Sequence, residues 1–171
     1  MKSMTYKTAY KLIMLADEKD VIDIGDASQV LGVSPSTIRK YVQQLISEGI
    51  VEKTVDGKYV LTKLGVSIKK AVNMSTSKNI PSYVITDVST GQPIPLSFNS
   101  YEQLYAIITY QLAPRDVLEH HLRNYLSEWV RSSIGDEVLA EKISRGEIAT
   151  IEDLKKYLEF ILSITSSLIT R

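Results

Sequence analysis

The chain has 171 residues, 44% of them hydrophobic and 23% charged, enough to bury a core as one domain or two small ones. It contains no cysteine, which excludes disulfide staples, thiolate zinc sites and cysteine nucleophiles. A formal net charge of zero conceals halves of opposite sign: 11 basic against 8 acidic residues up to Met74, then 9 against 12 beyond it. That balance suits a nucleic-acid reader joined to a domain with another partner.

From Thr5 to Glu18 the residues Ala9, Leu12, Ile13 and Ala16 recur at helical spacing and predict a first amphipathic helix. Met1 to Tyr10 has no apolar signal core, and no stretch approaches the roughly 18 uncharged residues of a membrane span, so a soluble cytoplasmic protein is expected. Val21, Ile22 and Ile24 read as a short extended piece ending at Gly25. Asp26 is the expected cap of a second short helix through Gln29 and Leu31, which Gly32 ends. Ser34-Pro35 then opens a third helix to about Ser47, with a hydroxyl at the N-cap and proline where its missing N–H costs nothing. Gly49 closes it. Ile50 to Thr54 reads as a strand, Asp56-Gly57 as a hairpin turn and Tyr59 to Thr62 as the returning strand. Thr62 caps a fourth helix with Leu64, Ile68, Ala71 and Val72 inward and Lys63, Lys69 and Lys70 outward.

The polar, proline-bounded stretch 75–81 is the expected linker between a first domain over residues 1–74 and a second over 82–171. Beyond it, Ser82 to Thr86 reads as a strand, Thr90-Gly91 as a turn and Gln92 to Phe98 as an extended piece. Four helices follow. Asn99 with Glu102 has capping-box spacing for a helix to Gln111, and Pro114 opens a longer one reaching about Ile134. Asp136 caps a helix to Arg145, ended by Gly146, and Thr150 with Asp153 opens the last. The expected fold class is α+β and mostly helical, with a short strand or hairpin at the start of the second domain.

On the third helix Ile38, Tyr41, Val42 and Leu45 form the apolar stripe, which leaves Ser36, Thr37, Lys40, Gln43 and Gln44 largely outward. The stretch from Ala27 to Gly65 resembles the winged helix-turn-helix family of bacterial and archaeal transcription regulators. The resemblance spans about residues 5–73, through Leu31-Gly32-Val33, Ser34, Ser36-Thr37-Ile38-Arg39, the Leu45 to Gly49 exit and the hairpin. It implies a helix in the major groove and a wing beside it. On that basis Ser34, Ser36 and Thr37 are expected on phosphate or a base near the helix start, and Arg39 and Lys40 on phosphate or a guanine edge. Gln43 and Gln44 suit adenine edges, and Lys53 and Lys58 the neighbouring minor groove or its phosphates. The same fold also serves as a protein-docking module, but a docking face on this helix would be acidic or apolar, and this one is neither.

The second half is similar to a poorly characterised prokaryotic domain, through Thr90-Gly91, Ser100 to Leu104, His121, Arg123, Trp129-Val130, Gly135-Asp136 and Leu139-Ala140. No activity follows from that similarity. His121, Arg123, Trp129 and Asp136 are the residues that could line a site there. Each also has a structural reading, Trp129 as a core anchor and Asp136 as an N-cap. Adjacent His120 and His121 point about 100° apart and cannot share a metal. Asp116 and His120, four apart, read as a surface pair. No hydrolase elbow, phosphate loop or dinucleotide fingerprint is present, so neither an enzyme nor a cofactor is expected. The last helix spaces Ile151, Leu154, Leu158, Ile161, Thr165 and Leu168 by three and four, with Phe160, Leu162, Ile164 and Ile169 widening the apolar surface, as core or as dimer interface.

These readings converge on a sequence-specific regulator binding double-stranded DNA as a homodimer, its second domain dimerising, sensing a small molecule or recruiting a protein. The isoleucine, lysine and tyrosine usage is archaeal in style. Two alternatives stand beside it: an architectural or chromosome-partition DNA-binding protein, and a protein scaffold without DNA activity.

Overall fold

A computed structural model describes the backbone of residues 2–75 and 80–169 and the side chains of 8–74 and 80–165. It divides into two compact units, Met1–Lys69 with Ile164–Arg171, and Lys70–Ser163. Most of the expected linker, residues 76–79, lies outside the described part. The class is α+β and mostly helical.

The first unit runs α1 (Lys2–Leu15), β1 (Val21–Ile22), α2 (Ile24–Leu31), α3 (Pro35–Ser47), β2 (Val51–Lys53), β3 (Tyr59–Leu61) and the first half of α4 (Lys63–Ser75). Ala9, Leu12, Ile13 and Ala16 of the α1 stripe are buried, as are Ile38, Val42 and Leu45 of α3. Helix α2 starts three residues earlier than its sequence suggests. Asp23, not Asp26, is its cap, accepting from the Asp26 N–H at 2.9 Å, and Ile24 is helical. Both aspartates are chemically fit caps, and the pairing of Val21 and Ile22 with β3 decides between them by fixing where the extended backbone stops. The sheet order is β1-β3-β2, all antiparallel. Lys69 also differs from expectation: its Nζ donates to the Ala16 carbonyl at 2.9 Å, so it caps the end of α1 instead of facing outward.

The second unit contains β4 (Tyr83–Thr86), β5 (Pro93–Phe98) and α5 (Tyr101–Thr109), then a continuous rod followed by α8 (Glu137–Ser144) and the start of α9 (Ile151–Ile169). The rod is α6 (Arg115–His121), a π segment (Leu122–Leu126), α7 (Ser127–Trp129) and a second π segment (Val130–Ile134). Its period explains the π turns. Leu118, Leu122, Leu126, Val130 and Ile134 are all buried and recur every four residues. At 3.6 residues per α turn, four such steps drift by about 160°, and inserting π turns keeps the row on one face. Gly135, at φ 84°, ends the rod. The cap of α5 is Ser100, whose Oγ accepts from the Gln103 N–H at 3.1 Å, not Asn99. The Gln103 carboxamide instead receives the Asn99 N–H at 2.8 Å, which moves the capping pair one residue along the chain.

Along α9, Ile151, Leu154, Leu158, Ile161 and Thr165 are buried in the single chain. This stripe is therefore core and not a free dimer seam; the side chains of Leu168 and Ile169 lie outside the described residues.

The wing is tied to α4 through Thr62. Its N–H donates to the Ile50 carbonyl at 2.9 Å, and its hydroxyl reaches the Gly49 carbonyl at 2.6 Å and the Gly65 N–H at 3.2 Å. Gly65 permits this, because a Cβ there would stand 2.4 Å from the Ile50 carbonyl oxygen. Gly65→Ala, ordinarily a stabilising change inside a helix, is expected to cost about 2 kcal/mol or more here, read as a lower urea midpoint at unchanged m-value.

Candidate nucleic-acid interface

The geometry of α3 is set by its entry. Gly32 closes α2 in the left-handed region at φ 67°, its N–H and that of Val33 both reach the Ser28 carbonyl, and Ser28 Oγ donates to the Val33 carbonyl at 2.5 Å. Ser34 then caps α3, accepting from the Thr37 N–H at 3.3 Å, with Pro35 at the first helical position. Its Oγ also lies 3.1 Å from Ser36 Oγ and 2.9 Å from Thr37 Oγ1. The three hydroxyls form one exposed cluster, in which Ser34 serves first as the cap.

With Ile38, Val42 and Leu45 fully buried, the remaining faces of α3 are forced outward. Ser36, Arg39, Lys40 and Gln43 are exposed, and Thr37 and Gln44 are half-buried. Arg39 and Gln43 stand one turn apart, as do Ser36 and Lys40. The Gln44 carbonyl receives Ser47 Oγ at 2.7 Å near the end of the helix.

The wing turn is a hairpin with Gly57 at φ 85°. The Thr54 N–H donates to the Lys58 carbonyl at 2.7 Å, the Lys58 N–H donates to Thr54 Oγ1 at 3.0 Å, and that hydroxyl bonds Asp56. That hydroxyl, with Lys58 adding, holds the Asp56 carboxyl below its ordinary range. Lys58 lies 3.8 Å from Asp56, and Lys53 sits 5.8 Å from the Tyr59 ring centroid. Both lysines are exposed, on either side of a fully exposed Val55 at the tip. Val55 lies outside the expected contact set, although a valine between a strand end and a turn aspartate is a readable sign of a projecting apolar tip. Val30 on α2 is also two-thirds exposed.

The four residues marked in the second half do not form one site. His121 is buried and both its ring nitrogens are engaged: Nδ1 faces the Tyr83 hydroxyl at 2.5 Å, and Nε2 lies 2.9 Å from the Thr86 carbonyl oxygen. The Thr86 N–H also points at Nε2, at 3.1 Å, so the imidazole grips β4 through both of its nitrogens. Trp129 donates from Nε1 to the Pro81 carbonyl at 3.0 Å and packs edge-on against Phe98 and Tyr83. These two residues fasten β4 to the rod. Asp136 is completely buried elsewhere, accepting from the Leu139 N–H at 3.0 Å, Tyr101 Oη at 2.8 Å and Tyr157 Oη at 2.7 Å. Arg123 is exposed and apart from both groups. His120 meets Asn124 at 3.3 Å, and its ring stands 87° from that of His121. Among the described residues no group of three or more His, Asp or Glu side chains is placed to hold a metal, and no helix is long and apolar enough to cross a membrane.

A recognition-type helix after a left-handed turn, followed by a three-stranded sheet with a projecting hairpin, defines a winged helix-turn-helix. Residues 10–64 match the DeoR-like helix-turn-helix domain family, and this part of the chain is of the DNA-binding transcription-regulator kind. No curated protein and no solved structure matches the chain.

The Asp136 cluster gives a prediction in pH. Burial first, then the nearby Asp136, pushes the Tyr101 and Tyr157 hydroxyls well above the ordinary 10.0. A raised folded-state value means stability is complete below about pH 10 and is lost as pH rises beyond it, because the unfolded chain releases the protons first. Urea unfolding at pH 8 and pH 11 should show this loss, and Tyr157→Phe should reduce its steepness. Asp136→Ala should cost about 3 kcal/mol or more at pH 7, since it strands two buried hydroxyls and a helix N–H.

Proposed function

We propose that the protein is a sequence-specific transcription regulator of double-stranded DNA, with α3 in the major groove and the β2–β3 wing on the flanking backbone. The observation that supports this best is the outward row Ser36, Arg39, Lys40 and Gln43 on a helix whose opposite face is fully buried. A helix fits the major groove, arginine reads guanine bidentately, and glutamine does the same for adenine. Ser36 and Thr37 at the helix start, with Lys40, take phosphate, and Lys53 and Lys58 take the backbone beside the wing. Ser34 and Gln44 act mainly by position, the first as cap and the second at the end of the reading face.

Regulators of this geometry gain specificity by pairing, which on a two-fold axis sets half-sites about 34 Å apart and makes the target palindromic. The buried α9 stripe is not the pairing surface on this reading, so a homodimer uses another face. The second unit is the sensing or partner domain.

Selection of bound duplexes from a random pool, with salt titration of the selected site, tests the proposal. The expected result is an enriched palindrome. Arg39→Ala and Gln43→Ala should each cost about 1–3 kcal/mol and relax the preference at one position. Lys40→Ala and Lys58→Ala should weaken all sequences alike and each lower the salt slope by about one. Binding without enrichment would indicate an architectural protein, and no binding near physiological salt would favour a scaffold.

A further inference from the structure

The second unit has a cleft of about 630 Å³ between the end of α5, the loop into α6 and the first turns of α9. Its size falls inside the roughly 300–1,000 Å³ range of small-molecule sites. Ile108, Leu118 and Ile151 are buried lining residues, while Leu112 is left half exposed to it. Arg115 is already engaged: Glu152 takes both of its terminal nitrogens, one at 2.6 Å, and Glu119 lies 3.1 Å away. The two carboxylates offset Arg115 and Lys155 in number, but Lys155 itself has no carboxylate at ion-pair distance among the described residues, so it is the cation of the lining left to meet a ligand.

Gln111 adds an independent sign. It occupies the left-handed position after α5 at φ 53°, with the Leu112 N–H returning to the Ile107 carbonyl at 3.0 Å. Glycine is favoured at such a position. The chain instead keeps a glutamine there, and that residue lines the cleft.

We propose that this cleft binds a small amphiphilic monoanion, an apolar carboxylic acid. Its hydrocarbon part lies against Ile108, Leu112, Leu118 and Ile151, and its carboxylate meets Lys155 and the Gln111 amide. The sign of the ligand follows from Lys155. A cationic amphiphile would meet an unshielded ammonium, and a neutral one would leave that charge unpaired.

The test needs no DNA and is independent of the regulator reading. Full-length protein is titrated calorimetrically with octanoate, octanamide and octylamine, all below their micellar concentrations and at one ionic strength. Octanoate is expected to bind saturably with one site and about tenfold tighter than the other two, as a charge-assisted contact at a half-exposed lysine allows. Lys155→Gln should bring octanoate down to the octanamide level. Gln111→Gly relieves the positive φ, so its urea midpoint should not fall, while octanoate affinity should drop severalfold. Equal affinity for the three probes, octanoate binding unchanged in both variants, or no saturable binding by any probe would each overturn the proposal.

Discussion

The first unit depends on the burial of one face of α3. Ile38, Val42 and Leu45 are fully buried, and at about 25 cal/mol per Å² of apolar surface their removal from water outweighs every polar contact the helix makes. Once that face is fixed, helical geometry fixes the opposite one. Arg39, Lys40 and Gln43 face solvent because of where the valine and leucine went, not through any contact of their own. The turn before the helix then sets its direction: Gly32 reverses the chain, Ser28 locks the reversal, and Ser34 satisfies the first free N–H.

A different economy holds in the second unit, where buried polar groups act as fasteners. His121 and Trp129 reach β4 and Pro81 just ahead of it from the long rod, and Asp136 gathers two phenols from α5 and α9. Each of these groups would be costly if left unpaired, so each specifies one arrangement of the elements it joins. The residues that looked most like chemistry in this half are thereby spent on structure. A cleft near Arg115 and Lys155 stays open, and the sequence alone gives no reason to place those charges together.

How legible the molecule was depended on range. The α3 stripe, its Ser34-Pro35 opening and the Asp56-Gly57 turn are local signals and appear where the sequence puts them. Gly146 and the Thr150–Asp153 pair likewise mark real helix ends. Local signals failed where two neighbours were equally fit for one role. Asp23 displaced Asp26 because the β1–β3 pairing ends at Ile22, and Ser100 displaced Asn99, whose N–H is taken instead by the Gln103 side chain. The period-four row from Leu118 to Ile134 was readable in principle, since no straight α-helix keeps it on one side.

The sequence by itself determined the winged helix-turn-helix and the chemical character of its outward face, because periodicity and capping act over three or four residues. Tertiary structure alone decided the fate of groups whose partners are distant: Lys69 on the end of α1, His121 on Thr86, Asp136 between Tyr101 and Tyr157, and the α9 stripe as core. A buried polar or apolar side chain must find its complement somewhere, but the sequence does not say where. Only the packed chain brings residues 35 or 53 positions apart to within 3 Å.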